Sequence, residues 1–272
     1  MKVIISHDVD HITVFEHKND LIIPKFLIRS LIELKEKRIM FKEYKLRLND
    51  IFKNKWQNIL ELIEFEKKNQ IPSTFFVGVS NGKGLSYSIN NAAICIKEIL
   101  EAGFDVGVHG IAFEDYNKIK NEYELFKNIS GLKKFGIRMH YLRNTNYTLD
   151  MLSNIGYQYD TSKYELKNPY KIGNMWEFPL LMMDGYVIEG SSKWQSLNIE
   201  KAKERTLKLI ENVQEKDIKY FTILFHDRYF SDSFWTWKAW YIWLIEYLRE
   251  RKISFISYKE AINELNEKEK LY

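Results

Sequence analysis

The sequence is poor in cysteine: Cys95 stands alone in 272 residues. No internal disulfide can form, which fits a reducing compartment or a fold that needs no covalent staple. Proline is scarce too, at Pro24, Pro72, Pro169 and Pro179, and no Pro-, Gly- or Ser-rich stretch marks a linker. No internal repeat occurs. No run approaches the roughly 18 apolar residues that cross a bilayer. The start, Met1-Lys2-Val3-Ile4-Ile5-Ser6-His7-Asp8, carries no long apolar leader. The expectation is a soluble, cytoplasmic chain without a transmembrane segment. An excess of one charge is also missing. A net +4 among 29% charged residues is too mild for a nucleic-acid binder.

What is present is core material: 45% hydrophobic and 15% aromatic residues, enough for one large domain spanning 1–272. Short β-rich runs alternate with amphipathic stretches. Strands are expected at Val3–Ser6, Ser73–Val79, Asp105–His109, Gly136–His140, Tyr157–Thr161, Glu177–Met183, Phe221–Phe225 and Ile253–Ile256. Helices are expected at Ala92–Ala102, Asn117–Lys134, Thr148–Ile155, Ile199–Gln214, Ser233–Arg251 and Tyr258–Lys268. The alternation predicts an α/β fold with a largely parallel sheet. Residues 15–56 interrupt it as a helical insertion, with helices at Leu21–Arg38 and Asp50–Lys68. The insertion holds eleven Lys/Arg against six Asp/Glu. It reads as a solvated helix pair on the main domain, with three sharper roles open: a subunit contact, a peripheral membrane patch for a lipid-linked substrate, or a lid over acidic substrate groups. The oligomeric state is open.

The chemically rare residues stand at the C-terminal ends of the expected strands: Asp8 and Asp10 after the first, then His109, His140, Asp160 and His226. In parallel α/β barrels that end carries the active site. Asp8 and Asp10, two apart at a strand end, point the same way and repel unless a cation or proton intervenes. A natural division puts Asp10 on a divalent metal and leaves Asp8 as a base. His109 leaves a buried run, Asp105-Val-Gly-Val-His109, into Gly110, and suits a Zn²⁺ ligand. His226 follows the apolar Phe221–Phe225 and suits a general acid in a dry site.

Taken in order, these elements resemble the polysaccharide deacetylase family, carbohydrate esterase family four, with its NodB-homology domain. The carrying residues are Asp8-Val-Asp10, Ser73-Thr-Phe-Phe-Val, Glu101-Ala-Gly-Phe-Asp105-Val-Gly-Val-His109, Arg138-Met-His140-Tyr141, Gly156-Tyr-Gln-Tyr-Asp160-Thr-Ser and Leu224-Phe-His226. The resemblance covers nearly the whole chain and implies a distorted (β/α)7 TIM-like barrel. Two departures mark a divergent branch. Phe113 stands where most members carry a second metal histidine, and His140 stands where the arginine motif carries proline.

The resemblance also implies a mechanism. A divalent ion, Zn²⁺ with Mn²⁺ or Co²⁺ as alternatives, would activate water. Asp8 would take the water's proton and Arg138 would hold Asp8. A backbone N–H near Tyr141 would help bind the oxyanion. His226 would protonate the leaving amine, with Asp160 orienting its ring. Asp10 and His109 would hold the metal. Asp115 is the chosen third ligand, because Gly110 lets the loop turn back. Glu114 and His11 compete, and Asp115 could instead cap the helix beginning at Tyr116. The expected function is metal-dependent removal of an N-acyl group, N-acetyl first, from an amino sugar or surface-glycan precursor. The alternatives are hydrolysis of another amide or formamide C–N bond and a non-catalytic glycan- or nucleotide-sugar-binding role. Trp235 is a candidate sugar-stacking surface.

Overall fold

The computed structural model describes residues 1–189 and 194–269. Its elements, in chain order, are β1 (Lys2–Val9), α1 (Ile22–Lys35), α2 (Phe41–Phe52), α3 (Ile59–Asn69), β2 (Thr74–Val77), α4 (Ile89–Glu101), β3 (Asp105–Gly110), α5 (Tyr116–Ser130), β4 (Gly136–Met139), α6 (Thr148–Ile155), β5 (Tyr159–Asp160), β6 (Tyr170–Ile172), β7 (Met175–Glu177), β8 (Met182–Met183), α7 (Asp184–Ile188), α8 (Ile199–Glu215), β9 (Tyr220–Leu224), α9 (Trp235–Glu250) and α10 (Tyr258–Glu269).

The strands form one curled sheet, ordered β6-β7-β5-β4-β3-β2-β1-β9-β8, parallel except where β6 folds back on β7. This is the distorted barrel expected from the motifs. The strand expected at Glu177–Met183 is two short strands split at Pro179, which has no N–H to give to a ladder. Phe178 donates its N–H to the Asp160 carbonyl on one side, and Leu181 donates to the Thr222 carbonyl on the other. The segment therefore crosses between the two sides of the curled sheet and closes the cylinder. The strand expected at Ile253–Ile256 is only a single bridge between Phe255 and Val3.

The central strands are covered on both faces, so β1 is buried nearly throughout, its polar Ser6, His7 and Asp8 included. One set of side chains, including Val3, Ile5, Val77, Val106, Val108 and Ile137, belongs to the main core with Leu62, Ile96, Ile119 and Leu244 from the helices. A smaller cluster, with Ile4, Phe76, Tyr159, Phe178, Tyr220 and Tyr258, fills the inside of the barrel. Period two along β1 carries Ile4, Ser6 and Asp8 on that inner face.

The insertion has three helices in its neighbourhood where two were expected. A separate α2 begins where the Glu43 carboxylate accepts the Met40 N–H, and it stops at Asn54, which takes a left-handed φ of 53°. The stretch before α3 leaves the helix to bury Trp56. A buried ionic network docks α1 and α2. Arg47 donates to Glu33 and to the Ser233 carbonyl, and Arg29 donates to Glu33 and Glu189. Among the described residues no helix is long and apolar enough to cross a membrane.

Candidate metal and active centre

β3 delivers His109, buried, with Nδ1 3.1 Å from the Arg138 carbonyl. A carbonyl only accepts, so Nδ1 carries the proton and Nε2 keeps a lone pair. His140, one residue past β4, is held the same way: its Nε2 donates to the Lys83 carbonyl at 3.3 Å, leaving Nδ1 bare. The two bare nitrogens lie 2.9 Å apart. Asp10 Oδ1 is 3.1 Å from His109 Nε2 and 3.3 Å from His140 Nδ1.

Three acceptors at this spacing repel one another unless a cation or proton stands among them. Two imidazoles and a carboxylate are a donor set for Zn²⁺ or a similar ion, whose ligand bonds of about 2.0–2.2 Å suit atoms this close together. Carbonyl acceptors on both distal nitrogens also fit, because metal-binding histidines need their rings fixed that way. Burial opposes ionisation of Asp10, but the facing His109 and His140 rings and the nearby His226 outweigh it and hold the carboxyl well below the usual carboxylate range.

Asp8 sits beside this group. Arg138 Nη1 donates to its Oδ1 at 2.9 Å, while Oδ2 lies 3.9 Å from His109 Nε2. Arg138 is fully buried, stacked on Phe76 at 4.5 Å, and its Nη2 donates to Ser6 Oγ at 2.7 Å. Burial works against its charge, and the Asp8 carboxylate more than restores it.

His226 follows β9, and its Nε2 lies 3.7 Å from Asp10 Oδ2. Its Nδ1 donates to Asp184 Oδ1 at 2.9 Å, and its main-chain N–H donates to Oδ2 at 2.7 Å. Burial disfavours the charged ring, but the Asp184 carboxylate, helped by Asp10 and Asp8, pushes His226 up to about 10. It is an imidazolium at neutral pH.

Asp8, Asp10, His109 and His226 thus lie together at the strand ends, with Arg138, expected from the family resemblance, beside Asp8. Three other expectations need correction. Asp115 does not reach the group: its Oδ1 accepts the N–H groups of Asn117 and Lys118, so the residue caps α5. His140, not Asp115, stands third in the group with Asp10 and His109. Glu114 is exposed, and His11 turns to His17, 3.0 Å away, with its ring stacked on Trp56. Asp160 does not orient His226. It accepts from Ser162 Oγ at 2.7 Å and forms a carboxyl pair with Glu177. Burial raises both carboxyls, and Ser162 Oγ accepts the Met139 N–H just before His140. Asp184, absent from the sequence expectations, takes the orienting role. Tyr141 sits at the mouth, exposed, its ring 4.1 Å from that of His140, on a left-handed turn with φ 59° followed by Leu142 at 53°. Bulky residues adopt this conformation only at a cost of about 1–2 kcal/mol each, so the turn after His140 is held by its surroundings. Trp237 and Trp240 are core residues, and Trp235 is half exposed.

No family model and no curated protein matches the sequence. Solved structures do match. A Mycobacterium smegmatis protein assigned to the polysaccharide deacetylases superposes with a TM-score of 0.67 at 14% identity, covering 98% of this chain and 91% of that one. Puue allantoinase gives 0.61 at 12% identity, over 96% of this chain and 88% of its own. A carbohydrate esterase family four pseudoenzyme from Bacillus anthracis gives 0.50 at 11% identity, over 96% and 65%. The chain therefore has the polysaccharide deacetylase fold, a barrel shared with a deacetylase, an allantoinase and a pseudoenzyme.

Proposed function

We propose that this chain is a metal-dependent hydrolase that removes an N-acyl group, N-acetyl first, from an amino sugar or surface-glycan precursor. The observation that carries the reading is the convergence of Asp10, His109 and His140 between a carboxylate held by arginine and an imidazolium held by aspartate. Asp10, His109 and His140 would hold a divalent ion. When bound, such an ion supplies Lewis acidity that polarises an acyl oxygen and lowers the pKa of water toward about 7.

The remaining steps belong to the chain's own groups. Asp8 keeps Oδ2 toward the centre while Oδ1 is tied to Arg138, so it accepts the proton of the attacking water. Arg138 holds that carboxylate in place. His226 arrives protonated, hands its Nε2 proton to the departing nitrogen, and keeps its Nδ1–H on Asp184. The amide C–N bond breaks, the water oxygen joins the acyl carbon, and the products are a free amine and a carboxylate. Tyr141 lines the mouth, where its ring can flank the sugar.

The likeness to an allantoinase supports a second reading, hydrolysis of a cyclic amide C–N bond. The likeness to a pseudoenzyme supports a third, binding without turnover. A panel of N-acetylated and N-formylated amino sugars, with allantoin as a further arm, assayed on metal-loaded protein for release of a primary amine or ring opening, separates them. Amine release from the acetylated sugars is expected. Ring opening alone would favour the second reading, and no turnover at all the third.

A further inference from the structure

Arg228 lies two residues beyond His226, in the short turn Asp227–Tyr229. Its guanidinium carbon is 4.4 Å from the Trp56 ring centre, 4.6 Å from Phe26 and 5.5 Å from Phe234. Its Nε is buried and has no hydrogen-bond partner. No ion pair involves Arg228 among the described residues. Of the carboxylates nearby, Glu33 pairs with Arg29 and Arg47, Glu189 pairs with Arg29, and Asp50, whose charge reaches Arg228, forms no ion pair with it. Asp227, next in sequence, faces the Asn58 N–H, and burial pushes it up to about 7, which weakens it as a counter-ion. Burial, aided by Arg29 and Arg47, also draws Arg228 itself down to about 10, as expected for a cation short of a partner.

Arg228 is half-buried with its Nε enclosed; holding a cation there without a counter-charge is costly, and aromatic faces offset only part of that cost. The aromatic box does something else: it holds the planar fork rigid. Trp56, one wall of that box, also carries the His11 ring at 5.1 Å, and His11 follows Asp10. The charge of Arg228 is felt at Asp10 and at His11. The unpaired fork therefore belongs to the wall of the centre, and a guanidinium held flat matches a carboxylate or phosphate through two parallel hydrogen bonds.

We propose that Arg228 anchors an oxyanion, a phosphate or a carboxylate, carried by the acylated amino sugar, so that the site selects anionic over neutral sugars. The sugar's identity rests on the hydrolase reading above; the anion does not.

The test is calorimetric binding to metal-loaded protein of three probes: N-acetylglucosamine, its 1-phosphate, and N-acetylmuramic acid. The parent, Arg228→Gln and Arg228→Lys are compared, with thermal unfolding to check that each variant is folded. The parent should bind at least one charged sugar about 10-fold or more tighter than the neutral one, the phosphate and carboxylate arms naming the group. Arg228→Gln should erase that preference and leave neutral binding unchanged. Arg228→Lys should keep part of it. With a turned-over anionic sugar, the loss should fall on KM rather than kcat. Equal binding of charged and neutral sugars by the parent overturns the proposal, and so does a charge preference that survives in a folded Arg228→Gln. If Arg228→Gln does not fold, the parent's preference and its partial loss in Arg228→Lys decide. Charge selection without turnover of any sugar would sink the hydrolase reading and leave the anchor. Turnover without charge selection would do the reverse.

Discussion

Asp184 holds His226 at two points, its Oδ1 taking the ring Nδ1–H at 2.9 Å and its Oδ2 the main-chain N–H at 2.7 Å. The carboxylate thereby sets the ring's orientation, its tautomer and its charge. His226 is pushed up to about 10 against an ordinary value of 6.5, in spite of burial. Because the group is needed protonated, activity is lost as pH rises through its folded value. An ion at Asp10 would offset part of that residue's contribution, so the alkaline limb of kcat/KM should fall between 6.5 and about 10. Asp184→Asn should move the limb toward 6.5. An unmoved limb would remove Asp184 from the mechanism.

The third ligand is tested by two substitutions. His140→Ala should weaken metal binding by about 10²-fold or more, since even outer-shell losses cost 10–100-fold. Asp115→Ala should leave metal binding unchanged and cost about 1 kcal/mol as a lost helix cap. Chelator competition and thermal unfolding of both variants give the answer. Metal loss in Asp115→Ala with retention in His140→Ala would reverse the assignment.

Asp8 and Asp10 should separate cleanly. Asp8→Asn should abolish turnover while metal still binds, because an amide cannot take the water's proton. Asp10→Asn should lose the metal first. Metal titration beside an activity assay reads both, and the opposite pattern would exchange the roles.

The buried pair of Asp160 and Glu177 affects stability rather than catalysis. Burial and the Asp160 carboxylate raise Glu177 well above its ordinary value. The folded chain therefore binds a proton that the unfolded chain releases above pH ~4.3. Stability on this account is full in acid and declines as pH rises toward the folded value. Glu177→Gln keeps a neutral partner for Asp160 and should flatten the decline of Tm between pH 5 and 8. An unchanged slope would show that the pair does not hold a proton.

Much of this was legible in the sequence because parallel strands deliver polar residues to one end, so Asp8, Asp10, His109 and His226 could each be read from a strand end, while Arg138, inside β4, was legible only through the family resemblance. His140 was visible by the same rule, yet the third ligand was sought along the loop after His109. The register explains the difference: β3 and β4 pair His109 with Arg138 and Gly110 with Met139, which sets His140 beside His109 across 31 residues of chain. Asp184 directly follows the strand expected at Glu177–Met183 and obeyed the rule too. Asp160 obeyed it and misled, because β5 and β7 place Glu177 directly opposite. The break between α2 and α3 carries no proline or glycine. It is set by Asn54 and by the burial of Trp56 against Arg228 and His11, a tertiary contact that local pattern does not encode.

The most direct test is amine release from an N-acetylated amino sugar by protein stripped of metal and then reloaded. The account predicts one divalent ion per chain. It predicts turnover that vanishes with a chelator and returns with Zn²⁺, and a loaded His226→Ala variant slower by about 10²-fold or more. Protein that retains no ion, or turnover indifferent to the chelator, would contradict it.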